Sequence, residues 1–370
     1  MFSLFLVTTL AVSLGPMGPD APAHEPQIAA NGSMVGLTFG AGNAIYFSAS
    51  HDAGRTFSNP LKVAEADVVP LTRHRGPRIA WSGGAIIISA VTGKTLSREQ
   101  HAHGLPSDGD LMVWRSLDGG RTWSKGIVVN DVPGAPTEGL HTLAADARGN
   151  LFAAWLDKRG GSGTKLYGAR SIDGGASWSK NVLIYQSPDR TICECCHPSA
   201  AIDPDGQIQV MWRNWLGGAR DMYLARSRDA VSFSKPEKLG IGSWQLDGCP
   251  MDGGGLAATA ARTITAWRRG ENVFLAEPGK QETQIGTGKD IALALNGDHI
   301  SVIWTNGTKI ELWSNGQTEV LSNSGSFAAL ASLPSGGVLA AWEENGAIIT
   351  RRLPHSADGT LEERSRKQKE

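Results

Sequence analysis

Residues 290–321 read DIALALNGDHISVIWTNGTKIELWSNGQTEVL. The stretch divides into four β-rich runs, DIALAL, HISVIW, KIELWS and TEVL, separated by three turns that each carry Asn-Gly. Asn and Gly tolerate the positive φ angles of tight hairpin turns, which most other residues resist. The spacing therefore predicts a four-stranded antiparallel meander.

The same grammar recurs upstream and downstream of this stretch. A run of small residues, a Gly-bearing turn and a strand closing on tryptophan recurs with some wear, ending at Trp155, Trp212, Trp267, Trp304 and Trp342. Less regular copies at 27–64 and 77–130 bring the count to seven units, the last without an obvious fourth strand. Repeats of this length, each a four-stranded sheet, indicate an all-β, six- or seven-bladed β-propeller. Composition agrees. Glycine makes up 46 of 370 residues, well above the usual share of roughly 7 %. No long segment has helical periodicity.

Charge excludes one class of partner. Lys+Arg 35 stand against Asp+Glu 36 with no basic stripe, so no nucleic-acid partner is expected. The N-terminal MFSLFLVTTLAVSLG and the small-residue site Ala21-Pro22-Ala23 read as a secretory signal over residues 1–23, cut before His24, although a basic leading region is missing. The apolar run is short for a membrane span, so no stable insertion is expected after cleavage; a lipid-anchored or uncleaved form is the alternative. The expected location is periplasmic or extracellular, where disulfides persist. Residues 24–354 then form a single propeller domain, and 355–370 a charged disordered tail.

A second motif points to a family. SHDAGRTF at 50–57, SLDGGRTW at 116–123 and SIDGGASW at 171–178 follow the third strand of their units, with a worn SRDAVSF at 227–233. They resemble the Asp-box of sialidases and of BNR-repeat propellers generally, over most of the chain. Physically the box is a turn device: the carboxylate accepts backbone N–H bonds, Gly takes a left-handed conformation, and the aromatic anchors the hairpin. Asp52, Asp118, Asp173 and Asp229 are accordingly read as structural.

The resemblance implies that ligands sit on the face opposite the boxes, where the loops leading into each innermost strand meet those joining second to third strands. That face collects the unusual residues, including CECCH at 193–197 and GCPMD at 248–252. Cys193, Cys195, Cys196 and Cys249 are all four cysteines of the chain, set in consecutive inner loops. Three readings stand open. The cysteines form disulfide staples, as exported cysteines usually do; or they join His197, His141 and Met251 as a donor set for Cu(I) or zinc; or they carry a redox-active thiol. His101 and His103 form a further HxH pair, more simply a solvated loop.

The resemblance also implies a testable activity. Sialidases clamp a substrate carboxylate with three arginines and use a tyrosine nucleophile, activated by a glutamate, with an aspartate acid/base. Arg78, Arg213 and Arg269 are candidates for such a clamp, and Asp252, Asp247, Glu194 and Glu138 for carboxylate chemistry. No tyrosine follows Tyr223, and Tyr185 falls in an outer strand, so the covalent mechanism lacks its nucleophile. The sequence favours a propeller whose Cys/His/Met cluster binds a soft metal ion or carries a functional disulfide. An exo-sialidase-type glycoside hydrolase acting on acidic sugars is the alternative, and a non-catalytic carbohydrate- or protein-binding propeller the third reading. The expected partner is a small molecule, a glycan or a metal ion.

Overall fold

The computed structural model describes residues 11–98, 104–334 and 336–353. The first part of the expected signal, the charged tail and the His101/His103 pair lie outside them. The described strands form seven four-stranded antiparallel sheets.

Six sheets are simple meanders in chain order: β2–β5 (Ala23–Asn31, Met34–Ala41, Ala44–Ser50, Leu61–Glu65), β6–β9 (Arg78–Ser82, Ala85–Thr92, Asp110–Ser116, Ile127–Val128), β10–β13 (His141–Ala145, Leu151–Asp157, Lys165–Ser171, Val182–Tyr185), β14–β17 (Ser199–Ile202, Ile208–Arg213, Met222–Ser227, Glu237–Lys238), β18–β21 (Gly254–Ala258, Thr263–Arg269, Asn272–Ala276, Thr283–Thr287) and β22–β25 (Lys289–Asn296, His299–Asn306, Lys309–Ser314, Gln317–Ser322). The seventh holds β26–β28 (Ser326–Ser332, Val338–Glu344, Ala347–Leu353), and its outer strand is the N-terminal β1 (Val12–Leu14), paired with β28 in antiparallel register. The fourth strand absent from the last repeat is thus supplied by the other end of the described chain. Successive innermost strands contact one another around a closed ring, β2 meeting β26. The protein is a seven-bladed propeller.

The repeated tryptophans sit at or near the end of each second strand and fill the space between blades. Trp155, Trp212 and Trp304 are fully buried and Trp267 and Trp342 nearly so. Three of them satisfy the indole N–H locally: Trp155 donates to Asp157 Oδ2 (2.8 Å), Trp304 to Glu311 Oε2 (2.9 Å) and Trp342 to Glu344 Oε2 (2.8 Å).

The four aspartate turns follow β4, β8, β12 and β16. In the first, Asp52 Oδ1 accepts the Arg55 and Thr56 N–H groups and the Ser50 hydroxyl, and Oδ2 accepts the Thr56 hydroxyl. Partial burial opposes the charge on Asp52, but these four donors prevail and lower its pKa to about 2. Asp118 and Asp173 repeat the pattern, and Asp229 keeps a shortened version. The turn glycine also faces the preceding blade. At Gly120, φ is +90° and an added Cβ would lie 2.0 Å from Phe47 of β4, so only Gly fits.

Candidate functional site

The seven meanders leave two loop sets, the 4→1 and 2→3 connections, on the face away from the aspartate turns. Around the axis of that face the donor groups separate into a sulfur cluster and an imidazole–carboxylate cluster.

The sulfur cluster occupies the loop before β14. Ile192 N–H bonds to Thr164 O (3.0 Å) and Cys193 N–H to Arg213 O (3.2 Å), which fold the loop inward. Cys193 Sγ lies 3.7 Å from Cys195 Sγ and 3.2 Å from Cys196 Sγ, and all three sulfurs fall within 4.8 Å of one another. They are buried free thiols, with Met251 packed against them. Hydrogen bonds from Cys195 and Cys196 hold the Cys193 thiol well below its ordinary pKa, with the charges of Arg213 and Arg220 assisting. Arg220 Nη1 donates to Cys193 Sγ at 3.2 Å. Cys196 is pushed up, first by burial.

Cys249 does not join this group. It is exposed, whereas Met251, two residues on, is half-buried beside the thiols and also accepts a hydrogen bond from Arg73. Met251 holds a left-handed φ of 55°, which redirects the chain at this point. His141 stands apart as well: its ring bonds to Ser89 Oγ (3.0 Å) and Gly139 O (3.3 Å), and burial with the nearby Arg78 charge lowers its pKa to about 3.

The second cluster draws on five blades. His74 Nε2 bonds to Asp290 Oδ1 at 2.9 Å, and a ligand atom from each of His74, Asp252 and Asp290 falls within 4.8 Å of the others. The His197 ring lies against His74, with centroids 4.4 Å apart. Glu25 accepts the His74 backbone N–H at 2.8 Å. Glu25, His74 and Asp290 all have positive φ (54°, 65° and 59°), an uncommon conformation for residues with a Cβ. In β2 and β22 this coincides with a bulge.

The electrostatics follow from burial and proximity. Burial opposes the charge on His74, yet Asp290, Glu25 and Asp252 raise its pKa. Burial and the Asp290 charge raise Asp252, while the His74 hydrogen bond overcomes burial to lower Asp290. Burial, reinforced by the charges of His74, Arg78 and Arg213, keeps His197 neutral. Glu25, almost fully buried, is pushed up to about 7 by burial, against the opposing pull of His74.

The three clamp candidates are engaged elsewhere. Arg213, 1 % exposed, donates to the carbonyls of Asp252 (3.1 Å), Arg220 (2.8 Å) and Arg268 (3.0 Å). Arg78 donates to the carbonyls of Pro77 (3.1 Å) and His74. Arg269 pairs with Glu282 at 2.6 Å. Tyr185 lies on outer strand β13, where its hydroxyl accepts from Asn214 at 3.0 Å. Glu138 pairs with Arg75 (3.3 Å) and Lys158, and Glu194 accepts the Thr191 hydroxyl at 2.8 Å. A groove of 880 Å³ on the same side is lined by Glu65, Asp67, Lys94, Asp108 and Asp110, and its described lining contains no arginine.

No local sequence pattern singles out Glu25, His74, Arg220 or Asp290 as site residues. Asp290 was visible solely as the first letter of a strand. Only the ring order of the blades brings it to His74, 216 positions away.

No protein-family model and no curated protein matches the chain. Among solved structures, it is similar to a polysaccharide lyase described as an ulvan lyase (TM-score 0.57, 11 % identity, covering 91 % of this chain and 95 % of that one). It is similar too to the leech intramolecular trans-sialidase (0.55, 12 %, 95 % and 71 %). A third likeness is to the Penicillium chrysogenum α-L-arabinanase (0.52, 14 %, 93 % and 97 %). At these identities the likeness is one of fold: this chain shares the propeller architecture of proteins that act on glycans.

Proposed function

We propose that this chain is an exported propeller whose axial face binds a soft metal ion, copper(I) by its donor chemistry, through the thiols of Cys193, Cys195 and Cys196. The observation that carries the reading is the convergence of three buried free sulfurs, with Sγ separations of 3.2 and 3.7 Å from Cys193. Metal–sulfur bonds of about 2.3 Å would set trigonal ligands about 4 Å apart, so small side-chain rotations complete the site. Thiolate and thioether donors select Cu(I) among the common ions. Zinc would require a fourth ligand. The neighbouring imidazoles are turned elsewhere, His197 toward His74 and His141 toward Ser89. Arg220 and Arg213 offset the negative charge that bound thiolates would bring.

A second reading rests on the 3.2 Å approach of Cys193 and Cys196: a functional disulfide between them, with Cys193 as the reactive thiolate. The glycan reading is supported by the fold likeness, since the named neighbours act on polysaccharide, arabinan and sialoside substrates.

The test is competition for Cu(I) against a chromophoric chelator under anaerobic conditions. One Cu(I) per chain is expected, with affinity lowered at least roughly tenfold in Cys193→Ser and in Cys195→Ser. Unchanged affinity in both variants, or no uptake by the reduced wild type, refutes the metal reading.

A further inference from the structure

The imidazole–carboxylate cluster is a separate matter from the thiols, and the sulfur chemistry leaves it unexplained. Two of its carboxylate oxygens, Asp252 Oδ1 and Asp290 Oδ2, are buried without a hydrogen-bond partner, in residues only 0 % and 4 % exposed. So is His197 Nδ1. Buried polar atoms are almost always paired, and two unpaired carboxylate oxygens in one buried cluster mark the place of an ion or a water. The nearby cations do not meet this need. Arg268 Nε approaches the other Asp252 oxygen at 3.4 Å without hydrogen-bond alignment, and Lys289 Nζ stops 3.8 Å from Asp290 Oδ2.

We infer that His74, Asp252 and Asp290 form a binding site for a divalent cation of borderline hardness, of the Zn²⁺ or Co²⁺ type, on the propeller axis. The ligand atoms lie within 4.8 Å of one another. Two atoms each about 2.0–2.4 Å from one ion are at most about 4–4.8 Å apart, so the three already stand at coordinating separations. His74 Nε2 and Asp290 Oδ1, at 2.9 Å, match an adjacent pair of ligands at a right angle. Binding replaces the proton shared between them with the ion.

The site is braced as a metal site requires. The His74 backbone is held on both sides, its N–H by Glu25 (2.8 Å) and its carbonyl by Arg78. The Asp290 N–H donates to Asp252 Oδ2 at 3.2 Å, fixing the two carboxylates relative to each other. One imidazole nitrogen with carboxylate oxygens suits borderline and hard ions, whereas the three thiols suit soft ones. The two clusters therefore sort metals by chemistry, and either site can stand without the other.

Cobalt(II) distinguishes them in one experiment, because nitrogen and oxygen ligands give weak visible bands while thiolates add intense charge-transfer absorption. Metal-stripped full-length protein is titrated with Co²⁺, alongside Asp290→Asn, His74→Gln and the control Cys195→Ser, each checked for folding by circular dichroism. The wild type and Cys195→Ser are expected to bind one Co²⁺ with weak bands only, and both cluster variants to bind at least roughly tenfold more weakly. The proposal is overturned if wild-type protein retains no Co²⁺. It is equally overturned if its spectrum is thiolate-dominated and lost in Cys195→Ser, or if folded cluster variants bind as the wild type does. Should the variants not fold, wild-type stoichiometry and spectrum decide the matter.

Discussion

Replacing Glu25 with glutamine should make the protein more stable at neutral and alkaline pH. Glu25 is 2 % exposed, and burial raises its pKa from 4.5 to about 7. A carboxyl group whose folded pKa exceeds its unfolded one favours folding while protonated, so that contribution is complete below about pH 4.5 and lost as pH rises toward 7. A shift of this size corresponds to roughly 3 kcal/mol. Glutamine keeps the carbonyl oxygen that accepts the His74 N–H but cannot ionise. Urea unfolding followed by tryptophan fluorescence at pH 4.5, 6 and 8 should therefore show near equality at pH 4.5 and a gain of up to about 3 kcal/mol for Glu25→Gln at pH 8. A difference that does not change with pH, or a wild type more stable at pH 8, would refute the assignment of a strained buried charge at this position.

Other consequences can be checked with the same assay. Arg213→Met strips donors from buried carbonyls of Asp252, Arg220 and Arg268, and should cost at least about 3 kcal/mol in urea unfolding; a loss below 1 kcal/mol would contradict a bracing role for this guanidinium. A chain beginning at His24 lacks β1, leaves β28 as an edge strand and uncovers the core around the buried Leu14, so its unfolding midpoint should fall by the equivalent of about 2 kcal/mol or more. Equal midpoints would show that closure by β1 is dispensable. Trp304→Ala empties a fully buried inter-blade position and should cost about 3–5 kcal/mol. Between about pH 4 and 2 the Asp52, Asp173 and Asp229 turns should weaken together, since their depressed pKa values contribute stability only above that window; Asp52→Asn should flatten part of the acid limb.

What could be read in the sequence was local. Each Asn-Gly turn of 290–321 connects strands a few residues apart, and β22–β25 form in register with those runs. The three neighbouring cysteines were conspicuous for the same reason, since four positions hold them all. Cys249 was misplaced by the same reasoning. Being in the adjacent inner loop is not enough, because the left-handed backbone at Met251 separates the thioether at the cluster from the thiol in solvent. Contacts that depend on closing the ring left no local trace. β1 is three residues of a segment that reads as a leader, and its partner Ile348–Thr350 is at the far end of the described chain. His74 and Asp290 meet for the same reason, across the axis. Arg213 illustrates another limit: residue type gives five N–H donors, but not whether they meet a ligand carboxylate or, as here, backbone carbonyls.

The most direct test of the thiol account is an intact native mass spectrum of the full-length protein, recorded before and after anaerobic addition of Cu(I). The account predicts a mass with all four cysteines reduced, a shift by one copper on addition, and loss of that shift in Cys195→Ser. A mass short by about 2 Da, the two hydrogens lost to one bridge, with no copper taken up, would contradict it and leave the disulfide reading in its place.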